Sequence, residues 1–225
     1  MKNLNLFGLV MVLFLSSCIG DDIIFDEVEP TIRILNPVSS IEVGTNHQFE
    51  VVYLNNIGQE ETVTGITWAS SNTDAITIDQ TGLASAVQNG LSTITAEFVV
   101  DNQTITANNE VSASGETVVV SSDRSGKIVT TSSYVLEGDF TLKTNGEAID
   151  LDIADNFRTT SALPGLYLFL SNNPNSISGA LEIGEVTQFS GAQSFTIRDV
   201  GLNDFNFLVY FCKPFNVKVG EGEIQ

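Results

Sequence analysis

The groups in this chain that could do chemistry are two thiols, Cys18 and Cys212, one imidazole, His47, and 28 carboxylates. A nucleophilic triad needs an imidazole beside a hydroxyl, but His47 stands alone and the chain has no Gly-x-Ser-x-Gly element. A metal site built on His47 would have to be completed by carboxylates only, so His47 is read as structural or solvated. Haem ligation draws on His, Met or Cys, and iron–sulfur clusters draw on several Cys; neither set is assembled here, and no Cys-x-x-Cys-His occurs. No Gly-x-Gly-x-x-Gly opens a helix for a dinucleotide. Asp150, Asp152 and Asp155 could gather a calcium ion. Asp150 and Asp152 share a strand parity, however, and are better read as the wet side of a half-buried strand. Paired carboxylates for glycoside hydrolysis are not decided by counting, because acids abound. The expectation is a non-enzymatic protein with no cofactor of its own.

The elements that must position these groups follow from composition and pattern. The chain has 225 residues, a formal net charge of −19 and a sequence pI of about 4.1. Nine basic residues without a cluster argue against a nucleic-acid partner and against docking by charge on anionic lipid. Hydrophobic residues make up 42% of the chain and charged ones 16%, which is the balance of folded material rather than of a disordered acidic tail. The length suits one large or two modest domains.

The start reads Met1-Lys2-Asn3 and then an apolar run from Leu4 to Leu15. At about 12 residues it is too short to span a bilayer, and it has the anatomy of a secretory signal over residues 1–17. Leu15-Ser16-Ser17-Cys18 resembles the bacterial lipobox. The resemblance implies cleavage before Cys18, diacylglycerol on its sulfur, and an acyl chain such as palmitate on the new amine. Two anchoring signals hold stably where one would not. The expectation is therefore an outer-membrane protein attached to the membrane through the lipid on Cys18. Asp21, Asp22, Asp26, Glu27 and Glu29 come next, in an acidic tether over residues 18–30. They resemble the acidic export tag of surface lipoproteins and equally fit a plain solvated linker, so cell surface and periplasmic face are both open. After such processing Cys212 is the remaining thiol, and no intrachain disulfide forms.

Beyond Pro30 the pattern turns to short alternating runs. Phe49, Val51 and Tyr53 share one parity, Ile66 and Trp68 share a face, and Ile94, Ala96 and Phe98 alternate with Thr93, Thr95 and Glu97. Period two predicts half-buried antiparallel strands, and Asn55-Asn56-Ile57-Gly58, Asp79-Gln80-Thr81-Gly82 and Asn89-Gly90 punctuate them as turns. Over residues 31–111 the segments Ile66-Thr67-Trp68-Ala69-Ser70-Ser71-Asn72, Ile76-Thr77-Ile78-Asp79 and Ser92-Thr93-Ile94-Thr95-Ala96 resemble the bacterial immunoglobulin-like domain, group 2. That resemblance implies a sandwich that serves as a spacer, and it carries no catalytic residue. Such a spacer would hold the C-terminal half several nanometres off the membrane. Trp68 is read as a core aromatic.

Ser112 to Gly115 reads as a linker, and residues 112–225 as a second β-sandwich or barrel, so the fold class is all-β throughout. Leu166-Tyr167-Leu168-Phe169-Leu170 is a continuous apolar run, the mark of a strand covered on both faces. Asn172-Asn173-Pro174-Asn175 closes it as a turn. Phe205 to Cys212 is a second run, apolar except for Asn206 at its start, and Phe215, Val217 and Val219 alternate after it. Four stretches resemble the DM-thirteen domain, a β-rich module often found beside cytochrome-like domains. They are Leu136-Glu137-Gly138-Asp139-Phe140, Leu163-Pro164-Gly165-Leu166, Gly191-Ala192-Gln193-Ser194-Phe195 and Tyr210-Phe211-Cys212-Lys213-Pro214-Phe215. Phe211 stands where that family more usually has Trp. The resemblance implies a role in electron transfer through Cys212, the candidate redox thiol.

Parity alone puts Cys212 with Leu208 and Tyr210, which favours a structural thiol, because a buried Cys among apolar groups behaves as a small hydrophobe. Lys213 could stabilise a thiolate, but neighbouring strand residues point to opposite faces. A module that moves electrons here would need a redox or envelope partner to supply the carrier; a mixed disulfide or a singly oxidised thiol is the other route. The rival function is surface adhesion or glycan binding.

Overall fold

The computed structural model describes residues 26–120 and 123–225. Cys18, the signal-like residues 1–17 and the first part of the tether lie outside the described residues. Among the described residues the fold is all-β: twenty strands and one 3₁₀ turn at Lys213–Phe215, without an α-helix. The period-two patterning and the many turn residues dictate this, since no segment carries a sustained 3.6-residue apolar stripe.

The first half is built of three small sheets. Thr31–Ile34, Val51–Leu54 and Glu60–Glu61 form one, and Asn46–Gln48, Leu83–Ala86 and Ile76–Ile78 form another. The third runs Val118–Val119, Val38–Glu42, Gln103–Ser114, Gly90–Val100, Thr67–Ser70. Its Val38–Glu42 and Gln103–Ser114 strands pair in parallel, with Ser112 opposite Ser40. The inward residues of the three sheets, among them Ile32, Ile41, Phe49, Trp68, Ile76, Ile94 and Val111, close one core. Trp68 is buried there and stacks on Phe49 with 6.0 Å between ring centroids.

The linker expected at Ser112–Gly115 is strand as far as Ser114. Val111 and Ala113 point inward while Ser112 and Ser114 are half-buried, so the alternation continues through residues whose small polar side chains read as loop. Val118–Val119 then returns to the same sheet against Val38–Glu42. The pairing of the first half thus reaches Val119, beyond the boundary expected at residue 111.

The second half is one strongly curled sheet, nearly closed into a barrel. Its order is Leu181–Glu185, Leu166–Ser171, Phe207–Cys212, Val217–Glu223, Arg124–Thr130, Leu136–Asn145, Ala148–Ile153, Gln193–Arg198, with Arg158–Thr159 added on Leu136–Asn145. Inside lie Phe140, Leu151, Phe157, Leu168, Leu208, Tyr210 and Cys212. The continuous apolar runs are explained by a second layer. Leu166, Leu168 and Leu170 face the main core, while Phe169, Val209 and Phe211 face outward and are covered by Ile177 and Ala180 of the following loop. Each such large side chain removed from water contributes about 1.5–3 kcal/mol, so both faces hold these central strands.

The two halves touch. The Asn173 side-chain amide donates to the carbonyls of Ile57, at 3.0 Å, and of Asp26 in the tether. The tether therefore runs to the junction between the halves. A side chain in a turn of the second half thus binds the last part of the tether directly.

Candidate functional site

Cys212 ends the Phe207–Cys212 strand, where alternation points it inward with Leu208 and Tyr210. The strand stops because Pro214 follows: a fixed φ and a missing N–H suit the 3₁₀ turn Lys213–Phe215 and not a ladder. Asn216 closes that turn in the left-handed region at φ 52°. Phe215, expected to alternate with Val217 and Val219 along a strand, lies instead in the turn and is 63% exposed.

Opposite stands the loop before Leu166–Ser171. Leu166 pairs with Cys212, the Lys213 N–H donates to the Gly165 carbonyl at 3.1 Å, and the Cys212 S–H donates to the Pro164 carbonyl at 3.2 Å. Gly165 has φ +68°, and a Cβ there would lie 2.9 Å from the Pro214 ring, so this close approach requires glycine. Leu163-Pro164-Gly165 and Cys212-Lys213-Pro214 are thus two halves of one interlocking corner.

A mainly apolar cavity of about 440 Å³ opens at this corner. Tyr134, Leu163, Pro164, Cys212, Phe215 and Val217 line it. Cys212 itself is 0% exposed, so its sulfur lies at the floor and the exposed ring of Phe215 at the rim. Lys213 is on the other side of the sheet. Its ammonium lies 3.8 Å from the centroid of the Tyr167 ring and 2.5 Å from Glu182, so its charge is directed away from the sulfur. Next along the strand, Tyr210 is fully buried and stacked on Phe157, with 5.8 Å between centroids. Its hydroxyl has no hydrogen-bond partner among the described residues, and burial pushes its ionisation well above the usual phenol range.

The other sequence candidates lie apart from this corner. His47 is in the first half, its Nε2 3.1 Å from the Asn36 carbonyl and its ring edge-on to Phe49. Asp150 accepts from the Thr196 hydroxyl at 2.6 Å and from Asn145 at 2.9 Å, and Asp152 accepts from the Ser194 hydroxyl at 2.6 Å. These are cross-strand pairs on a wet sheet face, with Asp155 in the turn beyond. Among the described residues no three His, Cys, Asp or Glu side chains gather as a metal cluster would require.

Sequence reasoning missed Tyr134 and the exposed Phe215 as cavity residues. It also missed Arg33, whose guanidinium is largely buried where the two halves meet. The signal available for Phe215 was Pro214 before it, which favours a turn over a strand.

The family model described as Electron transfer DM13 matches residues 127–224, a span that contains Cys212 and the residues lining the cavity beside it. No curated protein matches the chain.

Proposed function

We propose that this chain is a lipid-anchored cell-envelope protein, non-enzymatic, whose second half takes part in electron transfer or thiol redox through Cys212. The observation that carries the reading is the match of residues 127–224 to an electron-transfer family, with Cys212 at the floor of a cavity inside that span. The electron carrier belongs to a partner: one thiol at the corner, and His47 in the other half, do not make a haem or cluster ligand set. In the thiol route a disulfide-bearing partner exchanges with Cys212. The Cys212 sulfur bonds to one partner sulfur, the partner S–S bond breaks, and the released partner sulfur takes up the proton.

The first half acts as an immunoglobulin-like module, a reading supported by its three packed sheets around Trp68. Anchoring rests on the lipobox-like Ser16-Ser17-Cys18, with diacylglycerol and palmitate on Cys18 and residence at the outer membrane, on the cell surface or the periplasmic face. A second reading, adhesion to a surface glycan, is favoured by Tyr134 and Phe215, two exposed aromatic rings flanking one cavity on which a sugar face could stack.

Two experiments test the proposal. Radiolabelled palmitate is incorporated by the wild-type chain and lost in Cys18→Ala. Trapping of a mixed disulfide from envelope extract is lost in Cys212→Ser if the redox reading holds. Glycan-array binding that survives Cys212→Ser, with no trapped disulfide and no electron exchange with envelope cytochromes, replaces it with the second reading.

A further inference from the structure

Arg33 sits on the first strand of the first half, Thr31–Ile34, where a short alternating strand needs only an outward polar residue. A lysine or threonine would serve that purpose. Instead a guanidinium is sunk into the second half. Its Nη2 donates to the Asp204 carbonyl at 2.7 Å, its Nη1 donates to the Asn206 side-chain oxygen, and both reach the Asn172 side-chain oxygen at 3.4 Å. All three acceptors are neutral. The Asp204 carboxylate is used within its own turn, accepting from the Gly201 N–H at 2.6 Å. Arg33 Nε is buried without a hydrogen-bond partner among the described residues. Burial, and then the neighbouring Arg124, pull Arg33 down to about 10, with Asp204 and Glu60 opposing; the group stays charged at neutral pH.

The acceptor loop is itself held in place. Arg124, from the second half, donates to the carbonyls of Leu202 at 3.2 Å, Phe205 at 3.3 Å and Ile224 at 2.5 Å. Two guanidiniums therefore grip one loop, Arg124 within its own half and Arg33 from across the junction. Further bonds cross at the same place: Asn173 to the Ile57 carbonyl, Asn203 to the Leu35 carbonyl at 3.1 Å, and Gln59 to the Ser178 hydroxyl at 3.1 Å. Gly58 closes the gap. It has φ +74°, and a Cβ there would lie 2.8 Å from the Asn172 carbonyl group. Flexibly strung domains do not place a buried charge, several amide side chains and a glycine contact on one seam.

We propose that Arg33 with its acceptors on Asn172, Asp204 and Asn206, together with the Asn173 amide that donates to the Ile57 carbonyl, forms a built clamp that fixes the second half on the first strand of the first, making the chain one cooperative unit of set orientation. The charge gives the clamp its direction. A guanidinium taken out of water is tolerated only where its acceptors are correctly placed, so rotated or slid arrangements of the two halves are penalised more than an apolar seam would penalise them. Because Asn173 also binds the Asp26 carbonyl, the same clamp sets the end of the tether relative to both halves.

The test uses the full chain carrying Cys18→Ser, with spin labels at the exposed positions Val87 and Glu147, one in each half, and calorimetry on the unlabelled protein. The expected wild-type result is a narrow inter-label distance distribution and one unfolding transition whose van't Hoff and calorimetric enthalpies agree. Asn206→Ala strands part of the guanidinium's bonding; it is expected to broaden the distribution and split the transition. The double change Arg33→Met with Asn206→Leu removes charge and acceptor together and is expected to recover much of the loss. Its non-additivity should be about tenfold in the unfolding equilibrium constant. If Asn206→Ala does not fold, Gly58→Ala takes its place, with the same expected broadening. A broad distribution in the unsubstituted chain overturns the clamp. So do single, unshifted transitions in the substituted chains, or strictly additive effects of Arg33→Met and Asn206→Leu.

Discussion

Cys212 and Lys213 are adjacent in sequence, yet they are chemically separated by the sheet they share. The thiol donates inward to the Pro164 carbonyl at 3.2 Å, while the ammonium lies outward on the Tyr167 ring, paired with Glu182. A basic residue beside a cysteine in sequence suggests thiolate activation; the strand geometry removes it. Lys213→Ala is therefore expected to leave the reaction rate of Cys212 with a small neutral maleimide within about twofold of wild type. It should cost less than about 1 kcal/mol of stability, as exposed ion pairs do. Stopped-flow alkylation and urea melts check both. A tenfold fall in thiol reactivity would show that the charge does reach the sulfur.

The thiol's burial makes a second expectation. At 0% exposure, Cys212 should resist a bulky anionic disulfide reagent in the folded protein and react fully in denaturant. Prompt reaction of the native protein would mean that the corner made by Pro164, Gly165 and Pro214 opens readily, which favours the redox reading. Protection of the native thiol counts against the redox reading and for a structural Cys212.

Among the described residues the buried Tyr210 hydroxyl has no partner, and an unpaired hydroxyl in the core costs about 1–3 kcal/mol relative to a satisfied one. Tyr210→Phe removes the hydroxyl and keeps the ring stacked on Phe157. It is expected to raise the urea midpoint by the equivalent of about 1 kcal/mol with no change in m-value. A destabilised variant would mean that the hydroxyl has a partner in solution.

Much of this was legible from residue order, because period-two burial is a local property. The alternation around Ile94 and Ala96, the doubly covered run Leu166–Leu170 and the core position of Trp68 all follow from which side chain needs hiding. The inward direction of Cys212 was legible for the same reason. What was not legible depends on pairs far apart in the chain. Ser112 and Ser114 read as linker because only pairing with distant strands, with Leu91 for Ser112 and with Val38–Glu42 for both, makes them strand. Arg33 drew no attention because its acceptors, Asp204 and Asn206, lie more than a hundred residues away. Asn172 and Asn173 were correctly placed in a turn, but turn chemistry does not say what a turn's side chains will bind.

The Asp79 turn gives the first half a pH dependence with a defined sign. Its carboxylate accepts from the Thr81 hydroxyl at 2.6 Å, the Thr81 N–H at 2.8 Å and the Leu83 N–H at 3.1 Å. The Thr81 hydroxyl is the largest cause holding it below the ordinary value of 3.8, followed by the two N–H donors. A folded-state value below the unfolded one contributes stability that is fully present above the ordinary value and lost as pH falls through the folded one. Asp79→Asn is thus expected to melt below wild type at neutral pH, with the gap closing as pH drops under about 4. Thermal melts of both proteins from pH 7 to pH 2.5 measure it. A gap that persists unchanged at the acid end would show that the charge contributes nothing.

Gly165 is where the fold and the candidate site meet. Alanine there must adopt φ +68° and place a methyl 2.9 Å from the ring of Pro214, the middle residue of the turn after Cys212. The backbone strain and the clash together should cost about 1–3 kcal/mol. The cost should be felt first at the corner: the Lys213-to-Gly165 and Cys212-to-Pro164 bonds lengthen before the barrel opens. Gly165→Ala is therefore expected to raise the maleimide reaction rate of Cys212 in the folded protein about tenfold or more, converting about 1.4 kcal/mol of lost local stability into opening. Pro214→Ala relieves the steric term and leaves the φ penalty, so the double variant should fall between wild type and Gly165→Ala in both stability and thiol rate. Equal thiol rates in Gly165→Ala and wild type, despite a lowered melting temperature, would mean that Cys212 is guarded by the rest of the barrel rather than by the corner.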